Sequence, residues 1–441
     1  MPPAPARTPT IKIPDWWERE KRRRQVVFLI FLTGLLILIG YYYWASITGL
    51  HISVSGIHFS TRDSIAFVRE DRKPGSTSTT STLYDIRADG TALHRLTDPS
   101  DISDKSAPAW TVDGKEILYA SNRDDASVRQ IFILGTGEPK QLTYGKANKD
   151  APEASPDGKH IAFLAQGAVK TVYLNGEDVY QVMPTPQAGN SGSDDSGGDG
   201  SGLQMGNAFL RCAFSSDGTG IAGVQNMNSD VGDINIGGVT QPAGDEAVTA
   251  VPPQGTQALF LETGHSVSFA WDQTAPRLLT SFTEIEAPVQ GKIRNISGIR
   301  EWDLSNPDHP VSKALILCVG SAVETEHIAL SPDGKRLAFE VWKVDKADNR
   351  SLLGITVVQV PDQTVQLDAG NLSGIRFLVR SSAKGVPERP QWSPDGTRIL
   401  YQVRRPQGGH DLWVVDSDGT NPINLTNGAG DNTQAVWSPL K

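Results

Sequence analysis

The segment that comes closest to a catalytic motif is GHSVS, at residues 264–268. Its pattern approaches the G-x-S-x-G turn that displays a nucleophilic serine between a strand and a helix. Here Ser268 replaces the last glycine, and the FAW that follows is typical of a strand. We therefore do not expect Ser266 to be a nucleophile.

The sequence also has no linear motif for binding a metal or a phosphate group. The eight histidines are scattered, and none stands at a zinc spacing such as H-E-x-x-H. The sequence has no Walker loop, and the adjacent carboxylates Asp124 and Asp125 lie in a predicted surface loop. We therefore predict no metal, no cofactor and no enzymatic activity, although carboxylates from separate strands could still meet in the folded protein.

A second acidic segment is the Gly/Ser/Asp tract at residues 187–206. Its composition predicts a flexible loop, because it holds too few apolar side chains to offset the entropy of ordering. Asp194, Asp195 and Asp199 offer the carboxylate oxygens that calcium takes, but not at an EF-hand spacing. Calcium binding by this loop stays open.

The elements that must position any site come from an internal repeat. The phrase QWSPDGTRILY at 391–401 recurs in variant form, with Trp110, Trp271 and Trp392 in one shared slot. Pro-Asp-Gly between two apolar runs is turn chemistry, so each copy predicts a β-hairpin. A third run and a fourth that ends in Leu-Thr follow, which makes four short strands per period of blade size.

The pattern P-x-W-S-P-D-G-x-x-I-x-Y … L-T resembles the repeat of TolB-type propellers, which also occurs in propeller domains of prolyl-oligopeptidase-like peptidases. It is strongest at residues 388–426 and degenerate from about 206 to 320. The resemblance implies an all-β propeller over residues 51–441. Its peptidase relatives use a further hydrolase domain for catalysis, and we see no such segment after the repeats, which favours a non-catalytic propeller.

The number of blades follows from counting the copies. Repeat phases and a truncated copy at TQAVWS (433–438) predict about seven four-stranded blades, and six or eight stay open because the middle is weak. The truncated copy supplies the inner strand of the blade at 64–97. Such closure removes the exposed edges that an open ring would have.

The N-terminal residues predict a membrane anchor. Residues 25–45 are uncharged and long enough to span a bilayer as a helix, and the tail at 1–24 is rich in Lys and Arg. Basic residues stay on the cytoplasmic side, so the tail is expected in the cytoplasm and the propeller outside it. A cleaved signal peptide is the alternative; either way, the propeller is extracytoplasmic, in a bacterial envelope if the resemblance holds.

Charge and cysteine content narrow the partners further. The net charge of the chain is −9, and because residues 1–24 carry +4, the rest of the chain carries −13. An acidic body repels phosphate backbones, so we expect no nucleic acid partner. Cys212 and Cys318 are too few for a disulfide scaffold, and we expect two isolated buried thiols.

The functional surface is expected where the segments that lead into the inner strands crowd around the central channel. Those segments carry polar residues, and the binding candidates are Lys105, Lys149, Asp150, Glu326, His327, Glu388, Arg389, Asp431 and Asn432.

These observations favour a membrane-anchored, non-catalytic propeller that binds a protein or peptide partner of the cell envelope. One alternative is a carbohydrate-active enzyme with its site at the channel mouth. It predicts several carboxylates or a His/Tyr/Arg group within hydrogen-bond reach in a deep pocket. Another is a ligand sensor, but the short tail leaves little room for an output domain.

Overall fold

The computed structural model describes residues 63–72, 79–176, 179–183, 209–226, 234–236, 239–241, 246–251, 259–264, 267–289, 292–306, 309–318, 322–345, 349–368 and 375–439. All regular structure among these residues is β-strand, which confirms the all-β prediction. Within them, no helix is long and apolar enough to cross a membrane. The predicted tail (1–24), membrane span (25–45) and loop (187–206) lie outside the described residues.

The first strands follow the repeat closely, as pairs of apolar runs joined by tight turns. They are β1 (Ser64–Arg72), β2 (Thr79–Arg87), β3 (His94–Arg95), β4 (Lys105–Trp110), β5 (Ile117–Ser121), β6 (Gln130–Leu134), β7 (Lys140–Gln141), β8 (Lys149–Ala154), β9 (His160–Ala165), β10 (Ala168–Tyr173) and β11 (Val179–Met183).

The region in which the repeat is degenerate also forms strands. They are β12 (Phe209–Phe214), β13 (Ile221–Asn226), β14 (Ile234–Ile236), β15 (Val239–Gln241), β16 (Glu246–Val251), β17 (Leu259–Gly264), β18 (Phe269–Trp271), β19 (Arg277–Val289), β20 (Lys292–Asp303) and β21 (Val311–Cys318).

The last part of the chain returns to the regular pattern. Its strands are β22 (Val323–Leu330), β23 (Arg336–Val344), β24 (Arg350–Gln359), β25 (Val365–Leu367), β26 (Phe377–Arg380), β27 (Val386–Trp392), β28 (Arg398–Arg404), β29 (His410–Asp416), β30 (Ile423–Asn424) and β31 (Asp431–Trp437).

In the described residues these strands form seven sheets of four or five strands and one separate hairpin, β14–β15. Sheet 1 has the order β31-β1-β2-β3, so the last strand of the chain pairs with the first, as the truncated repeat predicts. Sheets 2 and 3 are β4-β5-β6-β7 and β8-β9-β10-β11, and sheet 4 is β12-β13-β16-β17. Sheet 5 is β18-β19-β20-β21-β25, sheet 6 is β22-β23-β24-β26, and sheet 7 is β27-β28-β29-β30.

The Pro-Asp-Gly turns hold the first two strands of a sheet together by local hydrogen bonds. In sheet 7, the Ser393 hydroxyl donates to Asp395 at 2.6 Å and accepts the backbone N–H of Arg398 at 2.9 Å. Gly396 has a φ of 70°, which a side chain would strain. Turns that begin at Ser155, Ser215 and Ser331 have the same pattern of bonds.

The Leu-Thr signature has an equally local explanation. The Thr143 hydroxyl accepts the N–H of Ile131 at 2.9 Å, and the Thr426 hydroxyl accepts the N–H of Leu412 at 3.0 Å. Each threonine thereby satisfies a buried N–H of the third strand, which would be costly to leave unpaired. The two-residue strands β7 and β30 precede these threonines.

The core is divided among apolar clusters that lie between neighbouring sheets. Phe339 and Leu337 of sheet 6 pack against Leu279 and Ile299 of sheet 5, and equivalent clusters join each following pair of sheets. The cluster that contains Ile65 joins sheet 1 to sheet 7. Sheets that pack face to face in an unbroken succession are the architecture of a β-propeller.

The tryptophan slot of the repeat links neighbouring sheets directly. The indole N–H of Trp392 donates to the backbone carbonyl of Ala329 in the preceding sheet at 3.0 Å. In the same way, the indole N–H of Trp271 donates to the carbonyl of Ala213 at 3.0 Å. Trp110 of sheet 2 donates to Val436 of the closing strand at 3.3 Å. The tryptophan was found in the sequence as a marker, and its role is to connect one sheet to the next.

Both cysteines are buried and unpaired, as the sequence suggested. Cys212 lies between sheets 3 and 4, and Cys318 lies between sheets 5 and 6. Burial raises the pKa of both thiols, so neither is poised to react.

Candidate functional site

The inner strands share a bulge that sets the chemistry of the channel. In sheets 2, 3, 6 and 7 and in the closing strand, the pairing register shifts at the same place. A non-glycine residue with a φ between 46° and 58° occupies each bulge: Ala107, Ala151, His327, Arg389 and Gln434. Such a backbone costs about 1–3 kcal/mol per residue, so the surrounding sheets must stabilise it. Bulges of this kind re-aim a side chain.

The residues at the bulges are distributed unevenly around the ring. Sheets 2 and 3 carry only Ala107 and Ala151, whereas sheets 6, 7 and 1 carry His327, Arg389 and Gln434. At these five bulges, the side chains that can form hydrogen bonds therefore come from sheets 6, 7 and 1.

The bulge residues contribute to the linings of two cavities. The smaller, of about 680 Å³, is lined by Ser106, Ala107, Arg129, Asp150 and Ala151 among others. The larger, of about 1000 Å³, has polar lining residues Arg211, Gln273, Glu326, His327, Glu340, Glu388, Arg389, Gln391, Gln402, His410, Thr433 and Gln434. Its apolar wall includes Ile328, Leu330, Trp342, Pro390 and Trp392. Gln434 lines both cavities, and its side-chain oxygen accepts the N–H of Ala107 at 2.5 Å.

A buried carboxylate orients the histidine of the larger cavity. Glu340 has no exposed surface, and its Oε2 lies 3.0 Å from His327 Nδ1. The same carboxylate accepts the indole N–H of Trp342 at 2.9 Å and the backbone N–H of Arg389 at 2.7 Å. A carboxylate can only accept this hydrogen bond, so the contact pairs with a proton on Nδ1 and leaves Nε2 for a ligand. No described residue bonds Nε2.

A second acidic group lies beside this pair. Glu326 is almost fully buried and forms an ion pair with Arg350, which also bonds Glu324 at 2.7 Å. Burial raises the pKa of Glu326 above its ordinary value, against the attraction of Arg350. The Arg350 guanidinium packs over the ring of Trp342, 4.7 Å from its centre. These contacts fix the wall behind His327.

A second histidine joins sheet 7 to the closing strand. His410 Nε2 lies 3.0 Å from Glu388, and Nδ1 lies 2.9 Å from Asp431. The hydrogen bond to Glu388 and the contact with Asp431 raise the pKa of His410 against the effect of burial. Burial would raise the pKa of Glu388, but the bond and charge of His410 hold it below its ordinary value. His410 and Glu388 are therefore both charged over much of the acidic pH range.

The only described group that combines metal-ligating atoms at coordination distance is Glu326, His327 and Glu340, whose ligand atoms lie within 4.8 Å of one another. Carboxylate and imidazole are ligands for several divalent cations. Arg350, Trp342 and the Arg389 N–H already engage the two carboxylates, so a cation would have to displace some of these donors. We assign no metal here, and the sequence prediction of none stays a prediction.

The structure places the candidates from the sequence in three groups. Glu326, His327, Glu388 and Arg389 line the larger cavity, and Lys105 and Asp150 line the smaller one. Lys149, Asp431 and Asn432 line neither of these two.

Several candidates hold loops in place by their side chains. Lys105 Nζ is buried and donates to the carbonyls of Asp101 and Ser103. Lys149 Nζ donates to two carbonyls in the loop before β8, and Asn432 donates to the carbonyls of His410 and Ala429. These bonds give the three side chains a role in the fold.

Sequence reasoning missed Glu340, His410, Arg211 and Gln434. Glu340 had a detectable signal, because it is a charged residue within the apolar run RLAFEVW, where a partner is required. His410 stands at the start of a third strand, where no signal marks it. Arg211 and Gln434 hold the slot of Arg389 in their own copies, so an alignment of the repeats at the bulge would have found them.

Several known proteins are similar to parts of this chain. No family model matches the chain. Over 135 residues it is 28% identical to the lasso peptide isopeptidase AtxE2 of Asticcacaulis excentricus; the match covers 28% of this chain and 19% of that protein. The chain thus spans about a fifth of the length of this curated relative.

Two solved structures are similar over most of the chain. TolB from Acinetobacter baumannii has 17% identity and a TM-score of 0.46, with 90% of this chain and 70% of that chain covered. A puromycin-hydrolyzing peptidase of Mycobacterium tuberculosis has 14% identity and a TM-score of 0.49, with 85% and 53% covered.

The similarity to an isopeptidase contradicts the prediction that the protein is not an enzyme. The prediction was wrong because it depended on linear motifs. His327 and Glu340 lie on separate strands and meet only through pairing, which no motif search detects.

Proposed function

We propose that this protein is an enzyme that performs acid–base chemistry in the larger cavity. One observation carries the proposal: the buried Glu340 holds His327 by Nδ1, Nε2 has no described partner, and His327 lines a cavity of about 1000 Å³. A carboxylate that fixes the tautomer and orientation of a histidine is the arrangement on which many general bases depend. The carboxylates, histidines and arginine of one pocket also fit the enzyme alternative drawn from the sequence.

Peptides are the substrate class that we propose. The identity with an isopeptidase supports this choice, and the cavity combines a polar side with an apolar wall that includes Trp342 and Trp392. In this scheme His327 Nε2 takes a proton from water as the oxygen attacks the carbonyl carbon. The C–N bond then breaks, and the proton passes from His327 to the leaving amine.

A carbohydrate substrate is the second candidate. Glu326 has a raised pKa and lies beside the hydrogen-bonded Glu340, and carboxyl groups with different environments are what glycoside chemistry uses. The two candidates differ in the bond that is broken, so one enzyme preparation tests both.

We further propose the arrangement around this site. The sheets are the blades of a seven-bladed, TolB-like propeller, supported by the succession of sheets and by the repeat. Residues 25–45 anchor it in the membrane with the tail in the cytoplasm and the propeller outside, supported by the charge pattern. We expect protein partners of the cell envelope on the same side of the membrane as the propeller.

The test compares His327→Gln with the full-length protein on two panels, isopeptide-linked and linear peptides and oligosaccharides, with products identified by mass spectrometry. Gln434 occupies the equivalent bulge, so glutamine suits the backbone at this position. We expect turnover of one panel to fall by about 100-fold or more, as the loss of a general base does.

The matched control is His160→Gln, which removes a histidine whose ring lies 4.4 Å from that of Tyr173 and which is not in the cavity lining. Reaction of His327 with diethyl pyrocarbonate, followed by peptide mapping, reports Nε2 without any substrate. Equal turnover by the two variants would show that His327 is not the base.

A further inference from the structure

The larger cavity is lined by a cationic group, Arg389, whose charge acts on the neighbouring Glu388 without a close ion pair. Arg389 occupies the bulge of sheet 7 with a φ of 58°, lines the cavity and is exposed. No carboxylate among the described residues forms an ion pair with its guanidinium. Its backbone N–H is occupied, since it donates to Glu340 at 2.7 Å, but the side chain is not part of that bond.

The lack of a partner is notable because carboxylates surround Arg389. Each of them is already engaged by another donor. Arg350 holds Glu326, the Trp342 indole and the Arg389 backbone hold Glu340, and His410 holds Glu388 at 3.0 Å. The carboxylates of the wall are therefore satisfied without the Arg389 guanidinium, which carries five hydrogen-bond donors.

The backbone also limits where this guanidinium can go. The N–H bond to the buried Glu340 fixes the base of the side chain at the cavity wall. Bulge residues in sheets 2 and 3 are alanines, whereas Arg211, His327 and Gln434 hold the same slot in other sheets and share the cavity lining with Arg389. A planar guanidinium held at a cavity wall is suited to a bidentate bond with a carboxylate.

We propose that Arg389 is the anchor for a carboxylate of a peptide substrate, held by paired hydrogen bonds while the rest of the peptide lies along the apolar wall. The inference deepens the proposed function and rests on it, since it names the ligand group that the same cavity receives. Pro390 and Trp392 follow Arg389 in the chain and line the cavity, so they supply the apolar contact beside the anchor.

The test measures binding by the full-length protein with calorimetry. The probes are N-acetylated tripeptides with a free C-terminal carboxylate and the same peptides as C-terminal amides. We expect the carboxylates to bind about 10- to 100-fold more tightly, as hydrogen bonds to a charged group do. Arg389→Gln should remove this difference, and Arg389→Lys should keep only part of it, because lysine lacks the fork.

Arg404→Gln is the matched control. Arg404 is in the same sheet and half exposed, lies 3.8 Å from Glu388 and is not part of the cavity lining, so its loss removes the same charge without the anchor. We expect it to keep the preference for carboxylates. Gln434 shows that the bulge accepts glutamine, so Arg389→Gln should fold normally, and circular dichroism checks this.

Three results would overturn the inference. Equal binding of carboxylate and amide peptides would show that Arg389 does not anchor a carboxylate. An equal loss of the preference in Arg389→Gln and Arg404→Gln would show the same. Arg389-dependent binding of trigalacturonate without binding of any peptide would show that the carboxylate belongs to a sugar. Failure of the proposed function has a different signature: carboxylate peptides bind through Arg389, but His327→Gln leaves turnover unchanged.

Discussion

At the scale of single residues, the candidate site consists of ionisable groups that are held by one another. His410 lies between Glu388 of sheet 7 and Asp431 of the closing strand. His327 is held by Glu340 at Nδ1 alone. Two carboxylates favour a proton on both ring nitrogens of His410, whereas Glu340 contacts one nitrogen of His327, so the chemistry of these histidines is set by their partners.

The His410 group predicts a pH-dependent contribution to stability. Because the pKa of His410 is raised, its stabilising effect is complete below the unfolded value of about 6.5 and is lost as the pH rises through the folded pKa. Because the pKa of Glu388 is lowered, its effect is present above about 4.5 and is lost as the pH falls through its folded pKa. The stabilising effects of His410 and Glu388 are therefore both fully present from about pH 4.5 to 6.5.

Urea unfolding of the protein and of His410→Gln at several pH values measures this contribution. We expect the largest loss of unfolding free energy near pH 5.5 and a smaller loss at pH 9. Glu388→Gln should lose least at the acid end of the series. A loss that is independent of pH in both variants would show that packing, and not charge, accounts for the effect.

At the scale of elements, a repeated hairpin and a repeated tryptophan bond build the ring. Trp392 donates to Ala329 of the preceding sheet, and Arg336 packs over its ring at 4.5 Å. Trp437 occupies the same slot in the closing strand, but its indole N–H has no partner among the described residues. The slot therefore offers two matched tryptophans that differ in one hydrogen bond.

This difference gives a prediction for the bond between sheets. Trp392→Phe removes the indole N–H and leaves the Ala329 carbonyl short of a donor, so we expect a loss of about 1–3 kcal/mol in unfolding free energy. Trp437→Phe removes an N–H that has no described partner, so its loss should be clearly smaller. Denaturant unfolding of the two variants makes the comparison. Equal losses would show that ring size, rather than the hydrogen bond, determines the effect.

At the scale of the whole molecule, closure depends on β31. This strand pairs with β1 from Ile65 and Trp437 to Glu70 and Asp431, and it places Ala435 and Trp437 in the cluster that joins sheets 1 and 7. It also brings Gln434 to both cavities and Asp431 to His410. Closure of the ring and assembly of the site are therefore achieved by one strand.

Removal of residues 431–441 should disrupt both. We expect a chain that aggregates and unfolds without a single cooperative transition, because β1 becomes an exposed edge and the apolar cluster opens to water. Size-exclusion chromatography and thermal unfolding measure this. Removal of residues 439–441 alone is the control and should have little effect, since Pro439 is exposed and lies after β31. A shortened chain that stays monomeric and cooperative would contradict the role of β31.

How much of the protein was predictable differs between the fold and the site. The Ser-Pro-Asp-Gly turns, the Leu-Thr ends and the closing strand were all found in the sequence, because each is encoded within a few neighbouring residues. Glu326, His327, Glu388 and Arg389 were proposed from their position before an inner strand, and they do line one cavity. Lys149 and Asn432 have the same position, but they hold loops.

The sequence by itself determined the repeating hairpin, because turn chemistry and the alternation of apolar residues are local properties of the chain. Only the tertiary structure decided which side chains meet in the larger cavity. Glu340 reaches His327 across 13 residues through strand pairing and a bulge, and His410 reaches Asp431 through closure of the ring. These distances depend on register and on packing between distant sheets, which no local pattern of residues specifies.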